Sequence, residues 1–149
     1  MVWYFVEERK TSARLLLNSA MKDPITLKGK VVHGKALGRT VGMPTANLCV
    51  EQGILPENGV YATRIRIGDE LFQSITNIGN RPTVDREQDI TIETYIFDFN
   101  KDIYGQMVEL EVYKFLRPIQ KFESLEQVQI QVKKDVMEAK KYLDMLETK

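Results

Sequence analysis

Cysteine and histidine occur once each, as Cys49 and His33. A lone cysteine excludes an intramolecular disulfide, and with a lone histidine it leaves no cluster for zinc. Such usage fits a reducing compartment, and a cytoplasmic location is the expectation. Net charge is missing too. The 21 Lys and Arg balance 21 Asp and Glu, so no overall field draws the chain to nucleic acid or anionic lipid. Long apolar runs are absent. The opening MVWYFV turns charged at Glu7-Glu8-Arg9-Lys10, which is too short for a signal h-region or a membrane span. Neither a Walker A ending (Gly-Lys followed by Ser or Thr) nor GxGxxG is found. Internal repeats and low-complexity segments are lacking.

What remains is an ordinary globular composition, 28% charged and 43% hydrophobic, in 149 residues, enough for one domain with one core. Residues 1–24 read as an N-terminal helical arm. Glu7 to Lys22 places Ala13, Leu16, Leu17 and Ala20 on one side, and Pro24 stops the run. The domain proper is 25–149. From Ile25 the period is two, with Ile25, Leu27, Val31 and His33 on one face until Gly34. His33, on that apolar side, reads as structural filling. Thr45 to Val50 is a short strand candidate. PENG, Pro56 to Gly59, is a turn that opens VYATRIRI. Gly68-Asp69 makes a tight hairpin to LFQSITNIG. In ITIETYIFDF, Ile90, Ile92, Thr94 and Ile96 share one face, and Thr91, Glu93, Tyr95, Phe97 and Phe99 the other. DIYG turns the chain into a strand from Met107 to Phe115.

After Pro118 the period becomes helical. Leu125, Val128, Val132, Val136, Ala139, Leu143 and Leu146 form one packing stripe, with Ser124 as N-cap and Gln127 at the capping-box position. Six strands followed by one helix predict a mainly β fold. The expected form is a closed or nearly closed antiparallel barrel with the C-terminal helix packed outside.

Three features could carry chemistry. Glu93 sits mid-strand beside Tyr95 and Phe97. It is either a solvated outer glutamate, the commoner case, or a general base in a partly dry pocket. Thr45 and Asn47 emerge on one face if Thr45-Ala46-Asn47 is extended. A hydroxyl and an amide oxygen so placed either bond the adjacent turn or take a hard cation such as Mg²⁺. HGKALGRTVG has glycines at 34, 38 and 42 around Lys35 and Arg39, a composition that admits phosphate but is shared by many surface loops. Arg117, between Leu116 and Pro118, reads on its own as a strand-end surface residue.

Taken in order and spacing, GKVVHGKALGRTVGMPTAN, ITNIGNRPT, IETYIFDF, DIYG and FLRPIQKFESLEQVQIQVKKD resemble the riboflavin kinase (flavokinase) family over about residues 28–146. Met43 and Tyr95 depart from that family's usual residues. In many bacteria this module is the C-terminal half of a bifunctional FAD synthetase. The resemblance implies a six-stranded Greek-key barrel that transfers the γ-phosphate of ATP to the 5′-hydroxyl of riboflavin, giving FMN and ADP. It implies Mg²⁺ or another divalent cation on Thr45 and Asn47. Gly34, Lys35, Gly38 and Arg39 would join them around the nucleotide phosphates, and Glu93 would be the base. Thr94, Arg117, Phe122 and Leu125 fall on the flavin side. The expected partners are riboflavin/FMN and ATP/ADP, without nucleic acid or membrane, on a monomer. A flavin-binding regulator on the same fold and an oligonucleotide-binding barrel are the rival readings. The first is opposed by the joint presence of Thr45, Asn47 and Glu93, the second by zero net charge.

Overall fold

The computed structural model describes residues 24–33, 45–50, 55–81 and 89–147. The expected helical arm lies outside the described residues, apart from Pro24. Six strands follow in chain order: β1 (Ile25–Val32), β2 (Ala46–Cys49), β3 (Gly59–Ile67), β4 (Glu70–Arg81), β5 (Asp89–Ile96) and β6 (Met107–Arg117). One helix, α1 (Leu125–Glu147), closes the described chain. The strands form a closed antiparallel barrel in the order β1-β2-β5-β4-β3-β6. β3, β4 and β5 are successive neighbours and β6 returns beside β3, which is a Greek key.

Alternation decides what fills the barrel. Leu27, Val31, Tyr61, Ile65, Ile78, Ile92, Ile96, Leu110 and Val112 point inward and are nearly or wholly buried. Each such side chain contributes about 1.5–3 kcal/mol. The same inner face of β3, β4 and β5 also carries Thr63, Ser74, Thr76 and Thr94, all fully buried. Their hydroxyls form one chain: Ser74 to Thr63 at 2.7 Å, Thr63 to Thr76 at 2.9 Å and Thr76 to Thr94 at 2.9 Å. Mutual bonding offsets the cost of burying four hydroxyls away from water.

Two glycines set local geometry. Gly68, at φ 61°, occupies the first central position of the two-residue β3–β4 turn while Asp69 keeps negative φ, the pattern of a type II′ hairpin. At Gly59 a β-carbon would stand 2.4 Å from Phe115 Cε2 and 3.0 Å from the Arg117 carbonyl oxygen, so only glycine lets β3 and β6 close there.

The outer face of β3, β4 and β6 is covered by α1. Ala62, Ile75, Phe97 and Tyr113 pack against Ala139, Tyr142 and Leu143, with Val132, Val136 and Leu146 at the margin. β6 carries register shifts that leave Tyr113 and Leu116 as extra residues, and both join this second cluster. The helix begins as expected. Ser124 Oγ accepts from the Gln127 N–H at 3.2 Å, and Gln127 Oε1 accepts from the Glu123 N–H at 3.0 Å. Its last turn holds no basic residue of its own. Arg64 of β3 supplies the cation, donating to the Leu143 carbonyl at 3.4 Å and lying 3.7 Å from Glu147.

Two expectations need correction. Leu125 is half-exposed and stands off the packing stripe, because the helix meets the sheet only from about Val132 onward. The IFDF strand stops at Ile96, since Asp98 adopts φ 54° and turns the chain.

Candidate functional site

Glu93 lies on the outer face of β5, next to the helix-covered patch but outside it. Tyr95, two residues on, packs against that patch. Pairing places Asn47 of β2 opposite Glu93 on one side and Asn77 of β4 opposite it on the other. Opposed residues share a face, so the row continues through Val60 of β3 to Arg117 of β6. Thr45, just ahead of β2, reaches diagonally to the same carboxylate. Its Oγ1 donates to Glu93 Oε1 at 2.6 Å. PTAN and the β5 glutamate, 48 positions apart in the chain, therefore meet in one constellation.

Beside it opens a cavity of about 510 Å³. Thr45, Asn47 and Thr94 line it, together with His33 and the loop from Phe99 to Tyr104. Glu93 is not in the lining; Thr45 is the link between the two. The loop is tied to β1 by Gly105 N–H donating to the Val31 carbonyl at 2.9 Å and Val31 N–H donating to Gln106 at 2.9 Å. Buried Ile103 closes the barrel end beneath it. Asp102 Oδ1 accepts from the Tyr104 N–H at 3.0 Å and holds the turn.

His33 is exposed, contrary to its reading as core filling. Its ring stacks on Tyr104 with centroids 3.7 Å apart. This pair and Lys101, both at the cavity, were missed in the sequence. The available signal was DIYG, a turn that carries an aromatic ring beside an acid.

The flavin-side candidates separate. Arg117 donates from Nε to both Asp135 oxygens at 3.0 Å and from Nη2 to Oδ2 at 2.8 Å. Nη1 donates to the Pro118 carbonyl at 3.2 Å, and the guanidinium lies 5.7 Å from the Phe122 ring. It thus pins the start of the segment joining β6 to α1. Asp135 is 2% exposed and also accepts from Gln131. Thr94 faces inward, bonded to Thr76, on the other face of β5 from Glu93. Leu125 is at the helix start. Gly34, Lys35, Gly38 and Arg39 lie outside the described residues.

The oxygen donors suit a hard cation. Thr45 Oγ1 donates a hydrogen bond to Glu93 and keeps its lone pairs, and Asn47 adds an amide oxygen on the same face. No group of three or more His, Cys, Asp or Glu able to hold a metal exists among the described residues. Phosphates and water would have to complete any shell.

A family profile described as riboflavin kinase, Flavokinase, matches residues 21–143. The chain is 38% identical over 130 residues to the bifunctional riboflavin kinase/FMN adenylyltransferase of Haemophilus influenzae, covering 87% of this chain and 42% of that protein. To the protein of the same description from Bacillus subtilis it is 37% identical over 134 residues, covering 88% and 42%. The chain thus spans less than half the length of these relatives. Among solved structures, the riboflavin kinase of Trypanosoma brucei superposes with TM-score 0.58 at 26% identity, covering 84% of this chain and 81% of that one. A protein described as a macrolide-efflux protein from Streptococcus pneumoniae superposes with TM-score 0.76 at 32% identity, covering 85% and 45%. With the barrel, the PTAN–glutamate constellation and the family profile in agreement over most of its length, this chain belongs to the riboflavin kinase family.

Proposed function

We propose that this chain transfers the γ-phosphoryl group of ATP to the ribityl 5′-hydroxyl of riboflavin, forming FMN and ADP. The observation that carries the reading is the 2.6 Å bond from Thr45 Oγ1 to Glu93 Oε1, with Asn47 opposite the same carboxylate. It joins a candidate phosphate-binding pair to a candidate base.

Phosphoryl transfer asks mainly for positioning and for charge stabilisation. Thr45 fixes Glu93 through Oε1, which leaves Oε2 to orient the substrate hydroxyl and accept its proton as the new O–P bond forms. The bond to the β-phosphate oxygen breaks and ADP leaves with that electron pair. Thr45 and Asn47 would hold a divalent cation, which neutralises charge on the phosphates when bound. The adjacent cavity, with Lys101 and the His33–Tyr104 stack in its wall, is of the size that takes a nucleotide. Arg117 and Phe122 offer a cation and a ring at the far end of the outer row, suited to a flat flavin.

An efflux role, which the streptococcal protein's description carries, finds no conduit in this barrel. Its interior is filled by Leu27, Tyr61, Ile65 and their neighbours. No described helix is long and apolar enough to cross a membrane.

Incubation with riboflavin, ATP and Mg²⁺ tests the proposal by chromatographic detection of FMN. FMN that appears only with all three is the expected result. Flavin binding without FMN would replace the kinase with a flavin-binding regulator.

A further inference from the structure

The row across the outer face is continuous: Asn47, Glu93, Asn77, Val60, Arg117. Strands in a sheet lie about 4.8 Å apart, so Asn77 stands one strand from Glu93, and Arg117 roughly 14 Å along the curved surface. Asn77 is therefore the only hydrogen-bonding side chain between the carboxylate and the guanidinium in this row, because Val60 is apolar and buried. The Asn77 side chain is exposed, and no partner for its carboxamide is found among the described residues. Farther along the same face of β4 is Gly79. A β-carbon there would meet Ile119 Cδ1 at 3.6 Å. The β6–α1 segment thus overhangs β4 beside Asn77, and the half-exposed Ile119 forms an apolar edge above the strand.

A substrate whose terminal hydroxyl reaches Glu93 and whose flat apolar ring lies toward Ile119 and Phe122 must cross Asn77 with whatever links the two. A carboxamide both donates and accepts, which matches a chain of hydroxyls that also do both. We propose that Asn77 is a specificity residue that recognises the polyol chain of the flavin substrate. This rests on the kinase reading for the identity of the flavin and on the strand register for the position.

The test is flavin binding, followed by quenching of flavin fluorescence, with riboflavin and with lumiflavin, which has the same ring but a methyl group in place of the polyol. Asn77→Ala is expected to weaken riboflavin binding about tenfold, the scale of one or two neutral hydrogen bonds, and to leave lumiflavin binding unchanged. Asn77→Ser, which keeps a small donor and acceptor, is expected to restore part of the preference. The KM for ATP stays the same in both variants. An unchanged riboflavin-to-lumiflavin ratio in Asn77→Ala overturns the assignment and leaves the kinase reading intact. A wild-type protein that shows the Asn77-dependent ratio but makes no FMN supports the assignment while removing the kinase reading. A wild-type protein that binds neither flavin overturns both.

Discussion

Glu93 and Asp135 are two carboxylates with opposite surroundings. Asp135 is 2% exposed and fully engaged: Arg117 meets both of its oxygens and Gln131 adds a second donor side chain. Glu93 is half-buried and accepts one hydroxyl hydrogen bond, from Thr45, with no ion pair among the described residues. Both oxygens of Asp135 are taken up by donors, so neither is left to meet a substrate. One held by a single hydroxyl keeps an oxygen for substrate. The outer face of this barrel is thus divided. A structural acid anchors the β6–α1 segment at one end of the row, and a chemically available acid stands near the other.

Glu93→Gln is expected to lower kcat by roughly 10²–10⁴-fold, the usual scale for a lost general base, with no change in melting temperature. Near-normal turnover would make Glu93 a bystander. Arg117→Leu leaves Asp135 buried without its partner and is expected to cost about 3–5 kcal/mol in denaturant unfolding. Adding Asp135→Leu should recover most of that loss, and a double variant as unstable as the single one would show that the ion pair is not the cause. Thr45→Ala removes the one bond to Glu93 found among the described residues. A drop of about 10–100-fold in kcat/KM for ATP is expected, the worth of one hydrogen bond to a charged group, with Thr45→Ser largely active. Equal activity in both variants would contradict the role given to Oγ1.

The smallest effect uses a hydroxyl–carboxylate contact elsewhere on β6. Tyr113 Oη donates to Glu111 Oε1 at 2.8 Å. Burial, with that bond as the second cause, pushes the Tyr113 phenol up from 10.0 to about 12. The unfolded chain then ionises first as pH rises, so this residue's contribution to stability is full below pH 10 and is lost toward about 12. Glu111→Gln should move the tyrosinate absorbance midpoint only part of the way back, because burial remains. A full return to the ordinary value would make Glu111 the main cause.

Much of the architecture was legible because strand alternation, turn chemistry and helical period are local properties. VYATRIRI, Gly68-Asp69 and LFQSITNIG paired as expected, since a two-residue turn sets the register of its own hairpin. Ser124 and Gln127 marked the helix start for the same reason. At the site, Thr45, Asn47 and Glu93 were found by residue type and family resemblance, and they do converge. Asp135 was not singled out, because an acid within a mostly polar helical stretch looks solvated until its partner across 18 positions is known. The hydroxyl chain through Thr63, Ser74, Thr76 and Thr94 was hidden as well. Threonine suits either face of a strand, and only a closed barrel makes one face dry. His33 failed in the opposite direction: its parity was that of the core, yet the strand ends there and the ring escapes to stack on Tyr104.

By itself, then, the sequence determined the elements, their two-faced character and the residue types able to handle a phosphate and a proton, because these follow from short-range sterics and side-chain chemistry. The tertiary structure alone decided which face is interior, which strands become neighbours, and hence that Asn47, Glu93, Asn77 and Arg117 stand in one row. The physical reason is that barrel closure and register are long-range pairings, set by how all six strands bury one shared core rather than by any segment alone.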